Sequence, residues 1–198
     1  LKLWNNNFLN SKKQLTNGYH NCSVYSLKNS TLPSIKYQWL GTVPYLQTWN
    51  YQQQLHSLRV NNKIDNTVLL LEHTPVYTFG KNANHNHLLP SYSKTADVVQ
   101  VDRGGDITYH GPGQLVVYPI IDLHDYKLSV SWYIKSIENT IIRTLKEYNI
   151  IAVKRDGLTG VWVGDEKIAA IGVRLSRWVT MHGFALNLNP NMKFYDGI

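Results

Sequence analysis

The spacing of apolar and polar residues along the chain predicts more strands than helices. Short apolar runs, several with β-branched residues, predict strands at 68–71, 97–101, 115–121, 150–153 and 184–188. Pro119 indicates that the third of these strands ends there or lies at a sheet edge. A β-hairpin is predicted where 161–163 and 167–173 flank the turn at 164–166.

Two helices are predicted between these strands. Thr42 followed by Pro44 indicates an N-cap and first turn of a helix that runs to about Arg59 and ends at Asn61-Asn62. Its predicted apolar side consists of Leu46, Trp49, Leu55 and Leu58. Ser129 is predicted to cap a long helix with apolar residues at steps of three and four: Val130, Ile134, Ile137, Ile141, Leu145 and Tyr148. The fold class that this order favours is α+β, a mixed β-sheet with packed helices.

Residues 1–35 form a separate compositional zone. They are rich in Asn, Ser, Thr and Lys, contain no acidic residue and show no period of 2 or 3.6. We expect a disordered extension there, which is either the remnant of a transit segment or a low-complexity insertion without a targeting signal. Residues 36–198 are predicted to form one catalytic domain.

The location of the charge argues against a nucleic-acid partner. The net charge is +7, but residues 1–64 hold six Lys, Arg59 and no acid, whereas the other 13 basic residues balance 13 acidic ones. Residues 65–198 therefore have no net charge, and such a domain has no broad attraction for phosphate backbones. The apolar runs are far shorter than the roughly 18 residues that a membrane span needs, so a soluble protein without a membrane partner is expected. The single cysteine, Cys22, excludes internal disulfides.

The strongest local motif extends from Arg103 to Gln114. Four glycines within 103–113 allow a backbone to approach a ligand closely, and Arg103 offers a positive charge to an anion. The motif lacks the spacing of a dinucleotide fingerprint or a P-loop. An ordinary glycine-rich turn before a strand is the alternative.

Two further segments carry candidate chemistry. Lys167 directly precedes an apolar run, so partial desolvation would lower its pKa and make it a usable base or a counter-ion for a thiolate; the alternative is a hairpin lysine in water. His182 precedes Gly183 and Phe184 at a strand, although a lone histidine is more often structural. His56, His73, His85 and His87 lack acids or Cys at ligand spacing, so a solvated loop is favoured over a metal site. The serines lack the Gly-x-Ser-x-Gly elbow of a hydrolase.

Three motifs together resemble the octanoyltransferases of lipoate biosynthesis. They are R-G-G-x-x-T-Y-H-G-P-G-Q (103–114), G-x-W-V-x-x-x-K-I-A-A-I-G-V-R (160–174) and H-G-F-A-L-N (182–187), and the likeness extends from about Trp39 to Ile198. The resemblance implies the fold of biotin and lipoate protein ligase catalytic domains. It implies transfer of an octanoyl group from octanoyl-acyl carrier protein to a lysine of lipoyl domains, in 2-oxoacid dehydrogenases or the glycine cleavage H protein, with no cofactor.

The resemblance also implies the site residues. Lys167 matches the family's catalytic lysine, which lowers the pKa of a cysteine thiol and shuttles its proton. The acyl-substrate pocket is matched by Arg103, Gly104, Gly105, Asp106, Ile107, Thr108, Tyr109, His110, Ala170, Ile171, Gly172, Gly183, Phe184 and Ala185. In the family the nucleophilic cysteine lies in a Pro-Cys-Gly segment a few residues beyond the equivalent of Ile198. We therefore expect the sequence to be a fragment, with octanoyl transfer by residues 1–198 alone abolished or very slow.

The sequence leaves two alternative functions open and also predicts a subcellular location. A lipoate or biotin ligase of the same fold would adenylate a free acid with ATP, and a non-catalytic module would bind an acyl carrier protein through its basic N-terminal third. The acid-free extension, together with the similarity of 176–187 to plastid-type members, predicts an organelle: a plastid first and a mitochondrion second.

Overall fold

The computed structural model describes residues 33–198 and has the α+β class that the sequence predicts. Three short 3₁₀ helices lie at His85–His87, Leu123–Asp125 and Met192–Gly197. The strands and α-helices are, in chain order, β1 (Ile35–Val43), α1 (Tyr45–Val60), β2 (Asn66–His73), β3 (Val76–Phe79), β4 (Asp97–Gln100), β5 (Ile107–His110), β6 (Gln114–Ile120), α2 (Val130–Glu147), β7 (Val153–Arg155), β8 (Leu158–Val163), β9 (Glu166–Ser176) and β10 (Val179–Asn187).

The strands form two sheets. A seven-stranded mixed sheet has the order β1-β2-β6-β10-β9-β8-β7, with β1 and β2 parallel and the other neighbours antiparallel. A three-stranded sheet has the order β4-β3-β5. The two helices cover opposite faces of the large sheet, because alternate residues of β6 enter different cores: Val116 and Tyr118 pack with α1, whereas Leu115 packs with α2.

Helix α1 differs from its predicted form at its start and on its buried face. Thr42 is still part of β1, and Pro44 is the N-cap with no side-chain hydrogen bond. Leu46 and Leu58, predicted to face the core, are 54% and 43% exposed. The residues that are buried are Tyr45, Thr48, Gln52, Leu55, His56 and Arg59.

The buried face of α1 includes polar residues, two of which bond to strand β10. Gln52 Oε1 accepts a hydrogen bond from the backbone N of His182 at 2.9 Å, and a ring nitrogen of His56 lies 3.3 Å from Val179 O. A buried polar group costs little free energy once it is hydrogen-bonded. These contacts hold α1 against β10, the strand on which the cavity described below is built.

Helix α2 is close to its prediction. Ser129 is the N-cap, and its Oγ accepts from Trp132 N at 3.2 Å. Ile137, Ile141 and Leu145 of the predicted stripe are buried in the main core, whereas Val130 and Tyr148 at the two ends are 46% and 53% exposed. The predicted stripe is therefore correct in its centre and too long at both ends.

Most predicted strands are confirmed, with changes in their boundaries. The hairpin is present as β8 and β9 with a tighter turn, since Val163 already pairs with Glu166. The strand predicted at 150–153 lies further along, at Val153–Arg155. Strands β1, β3 and β5 were not predicted. Strands β1 and β5 mix apolar and polar residues, whereas β3 has strand-forming residues between Pro75 and Gly80 and its signal was missed.

Pro119 is not at a sheet edge, although it ends one ladder. Its strand, β6, lies between β2 and β10, and the pairing with β10 covers only Gln114 to Val117. Beyond this point the Thr180 side chain adds to the backbone bond from Thr180 N to Ile121 O, because its Oγ1 donates to Pro119 O at 2.6 Å and accepts from Ile121 N at 3.0 Å. A strand residue without an N–H is tolerated where the ladder is already interrupted.

The predicted extension falls mostly outside the described residues, which begin at Pro33, and Cys22 lies outside them too. Ile35, its last residue, already begins β1. Within residues 33–198, neither helix combines the length and the apolar character required to cross a bilayer.

Candidate active site

A cavity of about 520 Å³ lies between the glycine loop at 103–105 and strands β9 and β10. Its volume is in the range of small-molecule sites. Lys167 and all of the predicted binding residues except Tyr109 line it. The complete lining is Tyr45, Arg103, Gly104, Gly105, Asp106, Ile107, Thr108, His110, Tyr118, Thr159, Lys167, Ala170, Ile171, Gly172, His182, Gly183, Phe184, Ala185, Asn187, Met192, Tyr195 and Ile198.

Small residues on β9 and β10 create the space. Ala170 pairs with Ala185 and Gly172 pairs with Gly183 across the two strands. A Cβ on Gly172 would lie 3.1 Å from Gly104 O, and a Cβ on Gly183 would lie 2.2 Å from Val117 O. The glycines therefore permit close approach of neighbouring backbones, as the sequence motif predicts.

The buried side chain of Arg103 stabilises the glycine loop through hydrogen bonds. Its Nη2 donates to Thr78 O at 2.7 Å and to Thr78 Oγ1 at 2.9 Å, and its Nη1 donates to Gly104 O at 3.0 Å. Gly104 N in turn donates to Val173 O at 3.1 Å, which ties the loop to β9. Burial lowers the pKa of this guanidinium. The charge predicted to serve an anion is thus held by the protein's own carbonyl groups.

Tyr109 does not line the cavity, contrary to its place in the predicted pocket. Successive side chains of a strand point to opposite faces, and Thr108 and His110 on either side of it take the cavity face. The Tyr109 ring instead stacks on Phe194, with centroids 4.5 Å apart and planes at 4°. Tyr109 therefore supports the C-terminal segment.

The C-terminal segment closes one side of the cavity. Met192, Tyr195 and Ile198 contribute to its wall. Tyr195 Oη accepts from Gln114 Nε2 at 2.9 Å, and Tyr77 Oη donates to Phe194 O at 2.7 Å. The chain at Ile198 is therefore held against the cavity by side chains from β3 and β6.

Lys167 lies at the rim of the cavity and is exposed, as expected for a hairpin lysine in water rather than for a partly desolvated one. The alternation along β9 changes next to it, because Val161 pairs with Ala169 whereas Trp162 pairs with Lys167. This β-bulge makes Ile168 and Ala169 both buried and leaves Lys167 outside. Its Nζ lies over the Trp162 ring, 5.1 Å from the centroid. Within residues 33–198 the ammonium group has no carboxylate partner.

Tyr45, Tyr118 and the buried His182 lie at the deep end of the cavity and were not predicted there from the sequence. His182 Nε2 lies 2.8 Å from Asp102 Oδ1, and Asp102 Oδ2 pairs with Arg174 Nη1 at 2.9 Å. The hydrogen bond from His182 lowers the pKa of Asp102, whereas burial lowers the pKa of His182. His182 thus has the structural role that a lone histidine most often has, although it also borders the cavity.

The other aromatic groups at the deep end are neutral. Tyr45 stacks on His110 with centroids 6.0 Å apart, and His73 Nε2 lies 2.8 Å from Tyr118 Oη. Burial lowers the pKa of His73 to about 4 and that of His110 to about 3, and it raises the pKa of Tyr45 and Tyr118. The rings at this end of the cavity are therefore uncharged, and the charged group next to them is the Arg103 guanidinium.

The four histidines considered for a metal site have separate partners. His73 bonds to Tyr118, and His56 lies against Val179 O. His87 Nδ1 lies 2.6 Å from Asp106 Oδ2, and His85 stacks on Phe79. In the described part of the chain no three His, Cys, Asp or Glu side chains converge as metal ligands.

Comparison with solved structures extends the fold assignment. Lipoate-protein ligase A bound with ATP superposes with a TM-score of 0.63 at 12% identity, covering 82% of this chain and 70% of that one. A bi-partite lipoate protein ligase from Thermoplasma acidophilum gives a TM-score of 0.59 at 13% identity, covering 79% and 62% of the two chains. At such identities the likeness shows the fold alone, and it confirms the predicted fold class.

Comparison of sequences identifies the family. The model of the lipoyl protein ligase A/B catalytic domain matches residues 44–198. A protein from Gloeobacter violaceus named octanoyltransferase is 46% identical over 159 residues, which is 80% of this chain and 71% of that protein. An octanoyltransferase from Cytophaga hutchinsonii is 41% identical, and the match covers 87% of this chain and 80% of that protein. The chain therefore belongs to the lipoyl protein ligase A/B catalytic domain family and, within it, to the octanoyltransferases.

Proposed function

We propose that this protein transfers an octanoyl group from octanoyl-acyl carrier protein to a lysine of lipoyl domains, in 2-oxoacid dehydrogenases or the glycine cleavage H protein. The observation that carries the proposal is the cavity at 103–110, 170–172 and 183–185 with Lys167 at its rim, in a chain of the octanoyltransferase family. Ala, Gly, Ile and Phe side chains offer an apolar slot for the acyl chain.

The first half of the proposed reaction forms an acyl-enzyme. A cysteine thiolate attacks the thioester carbonyl of the donor, a new C–S bond forms, and the bond to the carrier's thiol breaks. The departing thiolate takes a proton from the Lys167 ammonium group. We propose that the thiol belongs to a cysteine that follows Ile198, since Ile198 borders the same cavity as Lys167.

The second half transfers the acyl group to the acceptor. The target lysine's amine attacks the acyl-cysteine carbonyl, the amide bond forms, and the cysteine leaves as a thiolate. Neutral Lys167 takes the proton that the amine loses, and the ammonium–thiolate pair is restored. Lys167 suits this role because its Nζ lies at the cavity rim, above the Trp162 ring.

The alternative that uses ATP has less support from the geometry. A phosphate-holding loop needs a basic group facing the ligand. The basic residue of the glycine loop, Arg103, directs its guanidinium donors at Thr78 and Gly104.

The test of this proposal uses the whole encoded protein, including any residues after Ile198. We expect octanoyl transfer from octanoyl-acyl carrier protein to an apo lipoyl domain without ATP, together with an octanoylated cysteine detected by mass spectrometry after rapid quenching. Transfer that requires ATP and free octanoate would establish the ligase alternative. Binding of the octanoyl carrier without any transfer would establish the non-catalytic module.

We also propose that the protein works in an organelle, a plastid rather than a mitochondrion. The support is the extension at residues 1–35, which carries four Lys and no acidic residue, together with the resemblance of 176–187 to plastid-type members. A fluorescent protein fused behind residues 1–35 is expected to enter isolated plastids and to lose its leader there. Uptake by mitochondria alone, or by neither organelle, would contradict the proposal.

A further inference from the structure

Glu138 is an acidic side chain in an otherwise apolar part of α2. Its neighbours along the helix stripe, Ile137 and Ile141, belong to the main core, and Glu138 itself is only 5% exposed. It is the one buried acidic residue among residues 33–198. A carboxyl group in such a place destabilises the fold unless a hydrogen bond compensates for the lost water.

The hydrogen bond of Glu138 goes to the backbone of β8. Its Oε1 accepts from Gly160 N at 3.2 Å. Gly160 directly precedes Val161, which pairs with Ala169 beside the β-bulge at Ile168, and its φ of +139° is a backbone conformation that glycine adopts most readily. A Cβ at this position would lie 2.7 Å from Ala169 O, so β8 and the bulged strand approach very closely here.

The bulge in turn fixes the direction of Lys167. Bulges commonly redirect a side chain next to a functional site. The Lys167 Cδ is 3.4 Å from the point where a Cβ on Gly160 would lie, and the Trp162 ring is 3.3 Å from that same point. The aliphatic stem of Lys167 therefore lies over the bare backbone of Gly160, with its ammonium group above Trp162.

We propose that Glu138, acting from the opposite face of the sheet, is a positioning residue for Lys167. It holds the Gly160 amide against the bulge and so keeps the lysine at the cavity rim. The inference rests on the proposed function in so far as Lys167 takes part in the transfer. Without the carboxylate, Gly160 N is left unpaired in the core, the bulge relaxes, and the lysine loses the surface that orients it.

The experiment compares Glu138→Gln, which keeps a side-chain oxygen acceptor, with Glu138→Leu and Glu138→Met, which remove it. Ile141→Val is the matched control, because it loosens the same helix stripe without touching Gly160. The first readout is the NMR signal of Lys167 after reductive ¹³C-methylation, assigned with Lys167→Arg. Methyl groups above the Trp162 ring carry a ring-current shift, which reports the position of the side chain directly.

We expect the ring-current shift to persist in Glu138→Gln and Ile141→Val and to be lost in Glu138→Leu or Glu138→Met, whichever folds. In the whole encoded protein, the kcat of octanoyl transfer should fall about 10- to 100-fold in the variants without the acceptor, since small misplacements of a reacting group have effects of that size. The KM should change less than about twofold, because the cavity lining is intact. Glutamine should restore most of the kcat.

Two outcomes would overturn the inference. One is an unchanged Lys167 signal in folded Glu138→Leu or Glu138→Met protein. The other is a loss of activity that follows the loss of stability alone, equally in Ile141→Val. Failure of the proposed function is a separate result, because wild-type protein without octanoyl transfer would still show whether the Lys167 signal depends on Glu138.

Discussion

Replacing Lys167 by methionine is expected to slow octanoyl transfer by about 10²- to 10⁴-fold, the usual contribution of a general acid–base group. The free energy of unfolding should change by less than about 0.5 kcal/mol, because Lys167 is exposed and makes no ion pair with a described residue. The measurement is a single-turnover assay of the whole encoded protein, with urea unfolding of the same preparations. Lys154→Met is the matched control, since Lys154 is an exposed lysine of the same sheet that bonds to Asn139.

The Lys167→Arg variant is expected to separate formation of the acyl-enzyme from transfer of the acyl group to the acceptor. Arginine keeps the positive charge that stabilises a thiolate, but it stays protonated and cannot take the proton from the acceptor amine. We therefore expect the acyl-enzyme to form and to accumulate, and mass spectrometry of the intact protein would detect it. Transfer by Lys167→Met within about threefold of the wild-type rate would remove Lys167 from the mechanism, because the expected loss is at least about 10²-fold.

The features that the sequence predicted correctly are those with a local physical cause. The cap at Ser129 acts three residues ahead on Trp132 N, and the hairpin of β8 and β9 needs only its own turn. The glycine loop also has a local signal, since close backbone approach requires glycine whatever surrounds it. These segments supply most of the cavity lining, so the site was predictable in its main residues.

The buried face of α1 was not predictable, because its partners are distant in the sequence. Gln52 bonds to a residue 130 positions away and His56 to one 123 positions away. Whether a polar side chain is buried depends on whether a partner is present, and the helix alone does not contain this information. The same reason explains why Tyr45 and Tyr118 were missed at the deep end of the cavity.

The orientations of Tyr109 and Lys167 have a common origin in strand geometry. Tyr109 stands within the motif but faces away from the cavity, because β5 alternates its side chains. Lys167 precedes an apolar run but remains exposed, because the bulge at Ile168 interrupts the alternation of β9. A motif gives residue types and spacing, whereas the side of the strand depends on pairing with neighbouring strands.

The neutral histidines that line and support the deep end make the fold sensitive to acid. The pKa of His73 is lowered to about 4 and that of His110 to about 3, whereas an unfolded histidine titrates near 6.5. Below pH 6.5 the unfolded chain therefore binds protons that the folded chain does not. Stability must fall as the pH decreases through this range, and the loss is complete only below the folded-state pKa values. His56 and His182, whose pKa values are also lowered, act in the same direction.

The expected loss is large for a protein of this size. His73 and His110 are nearly fully buried, and together they should lower the free energy of unfolding by about 3 to 4 kcal/mol between pH 7 and pH 5. Urea unfolding at half-unit pH intervals measures this slope. His110→Gln should make this slope shallower, because the contribution of one histidine to the pH dependence is removed. Ile141→Val should lower the free energy of unfolding at every pH and leave the slope unchanged. A wild-type stability that is constant from pH 7 to pH 5 would mean that these histidines gain water or protons in the folded state, and the deep end of the cavity would then be charged rather than neutral.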